Sequence, residues 1–293
     1  MGLKEHDGIY KKQDKIVAIG DLHGDILQLL SILLHAKLIK KKKKHICINN
    51  NDYSINNWMW TGKNTYLIQL GDIFDGGGRK MIDEFEDNEV EIYNFLVELK
   101  QLAQKEGGDV LLIIGNHEIM NFNNRFKYVQ ESSMKKCLVV NNDKFHYIKK
   151  PESCNHRQDL FSIPNGPLAK SMLYNSYGII KIGSNIFCHG GITYNIANKY
   201  SIYRINLILK GFLSGKLDVT NKYFREIYGD TDEGLIWYRG YSKLNKEETN
   251  KCTELEKTLH TLSASRMIVG HTVQKNGITT YCQKKSNSLW AID

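Results

Sequence analysis

The chain has 293 residues, 41% of them hydrophobic and 25% charged, with three prolines and 40 basic against 32 acidic side chains. That composition excludes a disordered or fibrous polypeptide and supplies enough apolar mass for a sizeable core. The net charge of +8 is spread through a lysine- and asparagine-rich chain, not gathered into basic stretches with interleaved aromatics, and so points away from a nucleic-acid partner.

Residues 1–13 read as a short N-terminal extension and 14–293 as one domain. The opening "MGLKEHDGIYKK" has no apolar core of a signal peptide. His6 stands where a myristoylation motif wants Ser or Thr, and no apolar run reaches membrane-spanning length. A cytoplasmic protein with no membrane partner is expected. Cys47, Cys137, Cys154, Cys188, Cys252 and Cys282 form no C-x-x-C pair and are too sparse for a disulfide scaffold. Reduced thiols are therefore expected, with Cys188 a small buried hydrophobe.

In chain order, "KIVAIGD" predicts a strand ending at Asp21, with His23 two residues beyond. "DILQLLSILLHAKLI" (25–39) predicts a helix begun by Asp25, and Lys40 to Lys44 a solvated turn. "TGKNTY" (61–66) lacks the earlier glycine and the hydroxyl that a phosphate loop needs. "YLIQLGD" ends at Asp72, and Asp75 follows. Residues 88–108 predict a second helix, with Ile92, Phe95, Leu96, Leu99, Leu102 and Ala103 on one stripe and a Gly-Gly stop. The acids from Asp83 to Glu91, Glu89 among them, read equally as its solvated, dipole-favouring start or as a patch that repels acidic ligands. "VLLIIGNHE" delivers Asn116, His117 and Glu118. The polar stretch 121–165 reads as an insert over the site, a helical cap, with Asn121, Arg157 and Lys170 facing solvent or, as the alternative, a ligand in the site. "NIFCHGG" delivers His189 and "RMIVGHT" delivers His271.

Each run is four or five apolar residues with few polar interruptions, as in a strand covered on both faces. Strands alternating with helices argue for a layered α/β domain, in which ligands bind beyond the carboxyl ends of strands. Any one of these polar residues alone reads as a turn, a helix cap or a hydrogen-bonded core histidine. Five clusters at five strand ends do not. Asp21, Asp72, Asn116, His23, His189 and His271 make a mixed oxygen and nitrogen donor set without thiolate, suited to Mn, Fe or Zn. Six donors are too many for one catalytic ion with open positions. They suit two divalent ions ~3.5–4 Å apart that share a carboxylate, for which Asp72 is the natural bridge. Such a centre stays positive and draws in phosphate.

At these residues the chain resembles the calcineurin-like metallophosphoesterases, and within them the phosphoprotein phosphatases, in "GDLHG", "GDIFDGG", "GNHE", "HGG" and "GHT". "GNHEIMN", "NGPLAKSM", "WYRGY" and "VGHTVQ" are similar to the Shewanella-like phosphatase branch, which includes relatives encoded by large DNA viruses. The resemblance implies a layered αββα fold, with mixed central β-sheets and helices on the outer faces. It implies that Asp21, His23 and Asp72 hold one metal, and Asp72, Asn116, His189 and His271 the other. A metal-bridging hydroxide would attack phosphorus in line. His117 would protonate the leaving oxygen, steadied by Asp75, while Asn116 and Arg239 grip the phosphate of a phosphoprotein. The arginine of the family's DRG motif is replaced by Gly76, and Arg79 is the side chain near enough in sequence to stand in. The alternative is a dinucleoside polyphosphate hydrolase or another phosphoanhydride or phosphodiester hydrolase. Many diesterases of the superfamily end in G-H-x-H, where this chain has Val273. A binding module with a decayed site rests on the missing arginine alone. Members of the branch usually continue further than Asp293, so either the C-terminal sheet edge is short here or the chain is truncated.

Overall fold

The structure is a computed structural model that describes residues 8–42, 53–77, 88–135, 137–141, 144–148, 156–243, 249–282 and 288–293. In chain order, β1 (Ile9–Tyr10) and β2 (Ile16–Ile19) lead to α1 (Ile26–His35), β3 (Ile39–Lys41), a 3-10 turn (Ile55–Asn57), β4 (Trp58–Trp60) and β5 (Tyr66–Gln69). Then come α2 (Glu89–Lys105), β6 (Asp109–Ile113), α3 (Asn116–Phe122), α4 (Glu131–Lys135) and the hairpin β7 (Cys137–Asn141) and β8 (Lys144–Ile148). They are followed by α5 (Arg157–Leu160), α6 (Pro167–Asn175), β9 (Ser176–Tyr177), β10 (Ile179–Ile182) and β11 (Asn185–Cys188). Last are α7 (Tyr194–Lys199), α8 (Ile202–Leu213), α9 (Lys222–Tyr228), α10 (Thr249–Thr261), β12 (Arg266–Val269), β13 (Thr279–Tyr281) and β14 (Ser288–Ala291).

Two sheets form the centre. One is parallel, in the order β2-β5-β6-β9; the other is mixed, in the order β1-β10-β11-β12-β14-β13. Alternate residues of each strand face opposite layers. Ile68, Leu111, Ile113, Ile180, Phe187 and Ile268 fill the space between the sheets. Leu67, Val110, Leu112, Ile179, Ile186 and Met267 face the outer core instead, which the helices share. The inner strands β5, β6, β10, β11 and β12 are thus covered on both faces, which is why they read as apolar runs. The layered αββα arrangement is the one expected.

The helices follow their sequence signals. Asp25 caps α1 by accepting from the N–H of Gln28 at 2.8 Å, and Ile26, Leu29, Leu30 and Leu33 form its buried stripe. In α2, Ile92, Phe95, Leu96, Leu99 and Ala103 are buried. Register then aligns the strand ends. Ile19 pairs with Gln69 and Gln69 with Leu112, while Phe187 pairs with Ile268. The polar clusters that follow these strands emerge together.

Several expectations fail locally. Ile9 and Tyr10 pair in parallel with Lys181 and Ile182, so the mixed sheet begins inside the stretch read as an extension. Lys40 and Lys41 belong to β3, which pairs with β4, and the Lys41 ammonium lies 5.5 Å from the Trp58 ring centre; Lys43 and Lys44 lie outside the described residues. The insert carries the β7–β8 hairpin beside its short helices. Cys252 and Cys282 are joined in a disulfide, not held as thiols. Their sequence separation of 30 gave no local spacing cue, but α10 and the turn leaving β13 bring their Cα atoms to 5.3 Å, within bridging distance. Among the described residues, no helix is long and apolar enough to cross a membrane.

Close approach of the strand ends restricts Gly71, which has φ +96 and a Cβ position 2.7 Å from the Cα of Gly115. Gly107 also has positive φ, +80, but open space around it. Gly107→Ala should cost about 1–2 kcal/mol for the left-handed backbone alone. Gly71→Ala should cost roughly 1–3 kcal/mol more through overpacking, read as a lower urea midpoint; equal costs would show that the close approach is no constraint.

Candidate metal centre

The turns after the strands are bound to one another before any ligand enters. The N–H groups of Leu22 and His23 donate to the carbonyl of Asp72 at 2.9 and 3.0 Å. The Glu118 carboxylate accepts from the backbone of Gly115 at 2.7 Å, Asp72 at 3.0 Å and Ile73 at 2.8 Å. The N–H of His117 donates to Asp72 Oδ1 at 3.0 Å, and that of His271 to Asp21 Oδ1 at 3.0 Å. His23, Asp72, Asp75 and His271 adopt φ of 45, 54, 69 and 64°. Side chains rarely take this left-handed conformation, and strain of this kind gathers at functional sites.

The structure brings all six expected donors together. Asp72 Oδ2 is the hub, 3.2 Å from His189 Nε2 and 3.9 Å from both His23 Nε2 and His117 Nε2. Asp21 Oδ2 lies 3.7 Å from His23 Nε2, and Asn116 Oδ1 lies 2.9 Å from His189 Nε2. Two buried groups result, His23–Asp72–His117 and Asp72–His189–His271, each with possible ligand atoms within 4.8 Å of one another. His117 therefore stands nearer the first group than its assignment as an acid requires.

The outer nitrogens are fixed as metal ligands need. His23 donates Nδ1–H to the carbonyls of Phe74 at 2.9 Å and Asp75 at 3.1 Å. His189 donates Nδ1–H to the carbonyl of Leu70 at 2.7 Å. Each turns its Nε2 inward. His271 is reversed: Nε2 donates to the Trp237 carbonyl at 3.2 Å, and Nδ1 faces the centre beside Arg239 Nη2 at 3.3 Å. This donor set, two carboxylates, an amide oxygen and oriented imidazoles, fits a pair of divalent ions.

Electrostatics agree. Burial alone would lower the His189 pKa, but the Asp72 and Asp21 carboxylates raise it to about 10. Burial and the His189 charge push His271 down to about 2. Asp72 is held well below the usual carboxylate range; burial opposes this, but the His189, His117 and His23 rings overcome it. Carboxylates that draw a proton onto a buried imidazole mark a place where cations belong.

Behind the hub, Asp75 Oδ2 accepts from His117 Nδ1 at 2.9 Å. Three expectations of solvation, at Glu89, Arg157 and Asn121, are overturned here. Glu89 is buried and accepts from the N–H of Asp75 at 2.9 Å. Arg157, 5% exposed, reaches Asp75, Glu89 and the buried Asn121. The polar segments that supply these residues gave no periodic signal to mark them. Arg239 donates from Nη1 to the carbonyl of His271 and to Thr272 Oγ1 at 3.3 Å. Arg79 lies outside the described residues. Gly76 and Gly77 pass under the segment 126–130. A Cβ on Gly76 would lie 2.7 Å from the His23 carbonyl, and one on Gly77 2.7 Å from that of Tyr128. Tyr128 in turn packs its ring 5.3 Å from that of His117.

Residues 14–275 match the profile of the family described as calcineurin-like phosphoesterase. A Plasmodium berghei protein named Shewanella-like protein phosphatase 1 is 33% identical over 99% of this chain and 68% of its own length. Arabidopsis thaliana Shewanella-like protein phosphatase 2 is 29% identical over 94% of this chain and 71% of its own. The crystal structure of a cold-active protein-tyrosine phosphatase from a psychrophilic Shewanella superposes with a TM-score of 0.69 at 23% identity, over 98% of this chain and 72% of that one; this likeness speaks for the fold.

His189 and His271, shifted in opposite directions, contribute opposite pH responses in the metal-free protein. The stability contributed by His189 is complete below its unfolded pKa of about 6.5 and is lost as pH rises through about 10. His271 acts on the other side: below about pH 6.5 the unfolded chain takes up a proton that folded His271 refuses. In EDTA, the melting temperature should fall from about pH 6.5 toward 10 and also on acidification. With Mn²⁺ bound the alkaline loss should shrink; parallel alkaline slopes would show that no metal replaces the proton on His189.

Proposed function

The chain belongs to the calcineurin-like phosphoesterase family, and from that premise we propose that it is a two-metal phosphomonoesterase acting on phosphoproteins. The observation that carries the reading is the single Asp72 carboxylate shared by two groups of imidazoles. The naming of its relatives as protein phosphatases supports the substrate class.

Asp21, His23 and Asp72 would hold one ion; Asp72, Asn116, His189 and His271 would hold the other. When bound, two such ions polarise the phosphoryl oxygens and make a water acidic enough to act as nucleophile at neutral pH. The oxygen- and nitrogen-only donors favour Mn, Fe or Zn. His117 supplies the proton for the leaving oxygen from Nε2. Burial works against its protonation, but the charge of Asp72 and the hydrogen bond and charge of Asp75 raise its pKa above that of a free imidazole. Asp75 holds Nδ1 and with it the ring plane. Asn116, at the edge of the hub, and Arg239, forked beside His271, grip the phosphate oxygens. Tyr128, set edge-on to His117 and 38% exposed, forms a wall beside the leaving group. The diester reading is weaker, because Val273, 69% exposed, offers no further ligand; the polyphosphate alternative shares the same metal ligands and is separated by substrate alone.

With Mn²⁺, the chain should hydrolyse 4-nitrophenyl phosphate faster than bis(4-nitrophenyl) phosphate or diadenosine tetraphosphate, and should release phosphate from phosphopeptides; the reverse order would transfer the assignment to the diester or anhydride enzymes. Asp72→Asn should lose bound metal and activity together. His117→Asn should keep two metals per chain and lose about 10²–10⁴-fold in turnover. Loss of a metal instead would make His117 a ligand.

A further inference from the structure

Asp75 uses its two carboxylate oxygens for different purposes. Oδ2 faces His117. Oδ1 accepts from Arg157 Nη2 at 2.9 Å and from Asn121 Nδ2 at 2.8 Å. The Arg157 guanidinium is itself held on every side. Nη1 donates to Glu89 Oε1, Nη2 to Glu89 Oε2 at 3.2 Å, and Nε to Asn121 Oδ1 at 2.6 Å. The rings of Phe161 and Phe126 stand 5.4 and 6.0 Å from its central carbon. Asn121 Nδ2 closes the circuit by donating to the carbonyl of His117 at 2.9 Å.

We infer that Arg157, clamped by Glu89 and Asn121, is the positioning residue for the Asp75–His117 pair, so that a side chain of the insert sets the orientation of the group that protonates the leaving oxygen. The inference rests on the phosphatase reading for its chemistry and on the hydrogen bonds alone for its geometry. Asp75 and Glu89 are both fully buried carboxylates, and an uncompensated buried charge is costly. The planar fork of Arg157 balances them and fixes the plane of Asp75. Oδ2 is thereby presented to His117 Nδ1, and the ring turns Nε2 toward the hub. A guanidinium tied to two carboxylates and an amide inside the protein does not serve as the phosphate clamp missing at Gly76. Its effect passes through Asp75, as outer partners of metal-site and catalytic groups act.

The test compares two esters that differ in their need for the proton. The 4-nitrophenolate ion leaves readily without one, whereas phenolate from phenyl phosphate depends on it. In the full Mn²⁺-loaded chain, Arg157→Ala should lower kcat on phenyl phosphate about 10²-fold and kcat on 4-nitrophenyl phosphate much less. KM and bound Mn²⁺ should stay unchanged. Arg157→Lys, which keeps the charge but not the fork, should recover part of the loss. In an Asp75→Asn background, Arg157→Ala should add no further loss. If Arg157→Ala does not fold, Arg157→Lys and Glu89→Gln carry the same comparison. A second readout needs no turnover: in Zn²⁺-loaded protein with ¹⁵N-histidine, the His117 Nδ1–H resonance should lie at low field and leave that position in the Arg157 variants. Equal losses on both esters, with metal lost as well, would show that Arg157 only supports the fold. An unmoved His117 resonance would overturn the inference outright. A wild-type chain inactive on every ester that keeps the Arg157-dependent resonance would sink the phosphatase reading and leave the positioning role standing.

Discussion

The Glu118 carboxylate takes four backbone N–H groups, those of Gly115, Asp72, Ile73 and, at 3.4 Å, Phe74, and so binds the first turn of α3 to the turn after β5. These two segments deliver Asp72, Asp75, Asn116 and His117. The bond network works only while Glu118 is ionised. Burial and the neighbouring Asp72 charge raise its pKa to about 6, against the pull of the backbone donors. At neutral pH it is therefore a charged acceptor, and charge-assisted bonds of this kind are among the stronger ones in proteins. Because the carboxylate spends itself on backbone, it is a frame for the centre and leaves coordination to its neighbours.

Within that frame, two kinds of acid group have separate duties. Asp21 and Asp72 face inward, where only cations or protonated rings offset them. Asp75 and Glu89 face outward and are offset by Arg157. The division keeps the inner carboxylates available to metal while the outer pair is satisfied by protein. A cation bound at the hub would take the place of the proton that the inner carboxylates draw onto His189, which would couple metal uptake to proton release.

Most of this was legible in the amino-acid order, for a physical reason. Strands enclosed between a second sheet and a helix layer must be apolar on both faces, so Ile16–Ile19, Tyr66–Gln69 and Asp109–Ile113 stand out as runs. Their glycine-led ends, crowded against one another, leave the next side chains no place but the shared centre. What stayed hidden lacks such a pattern. β1 has two residues, too few to show a period. Glu89 sits in an acidic run that resembles any solvated helix start, and its burial depends on Arg157, 68 residues away. Arg157 itself comes from a polar stretch with no periodicity, and Cys252 and Cys282 meet only through tertiary packing. Side chains that answer to a partner distant in the chain leave no local trace.

The glycine pair at 76 and 77 has an implication for anyone redesigning this enzyme. The carbonyls of His23 and Tyr128 occupy the volume a side chain would need there, and the N–H of Gly77 is bonded to Tyr128 at 2.8 Å. Reinstating the arginine of the wider family is therefore not a one-codon repair. At 76 the obstacle is the His23 carbonyl, so the turn that presents His23 to the hub would have to shift before an arginine fitted there; at 77 it is the Tyr128 carbonyl of the covering loop.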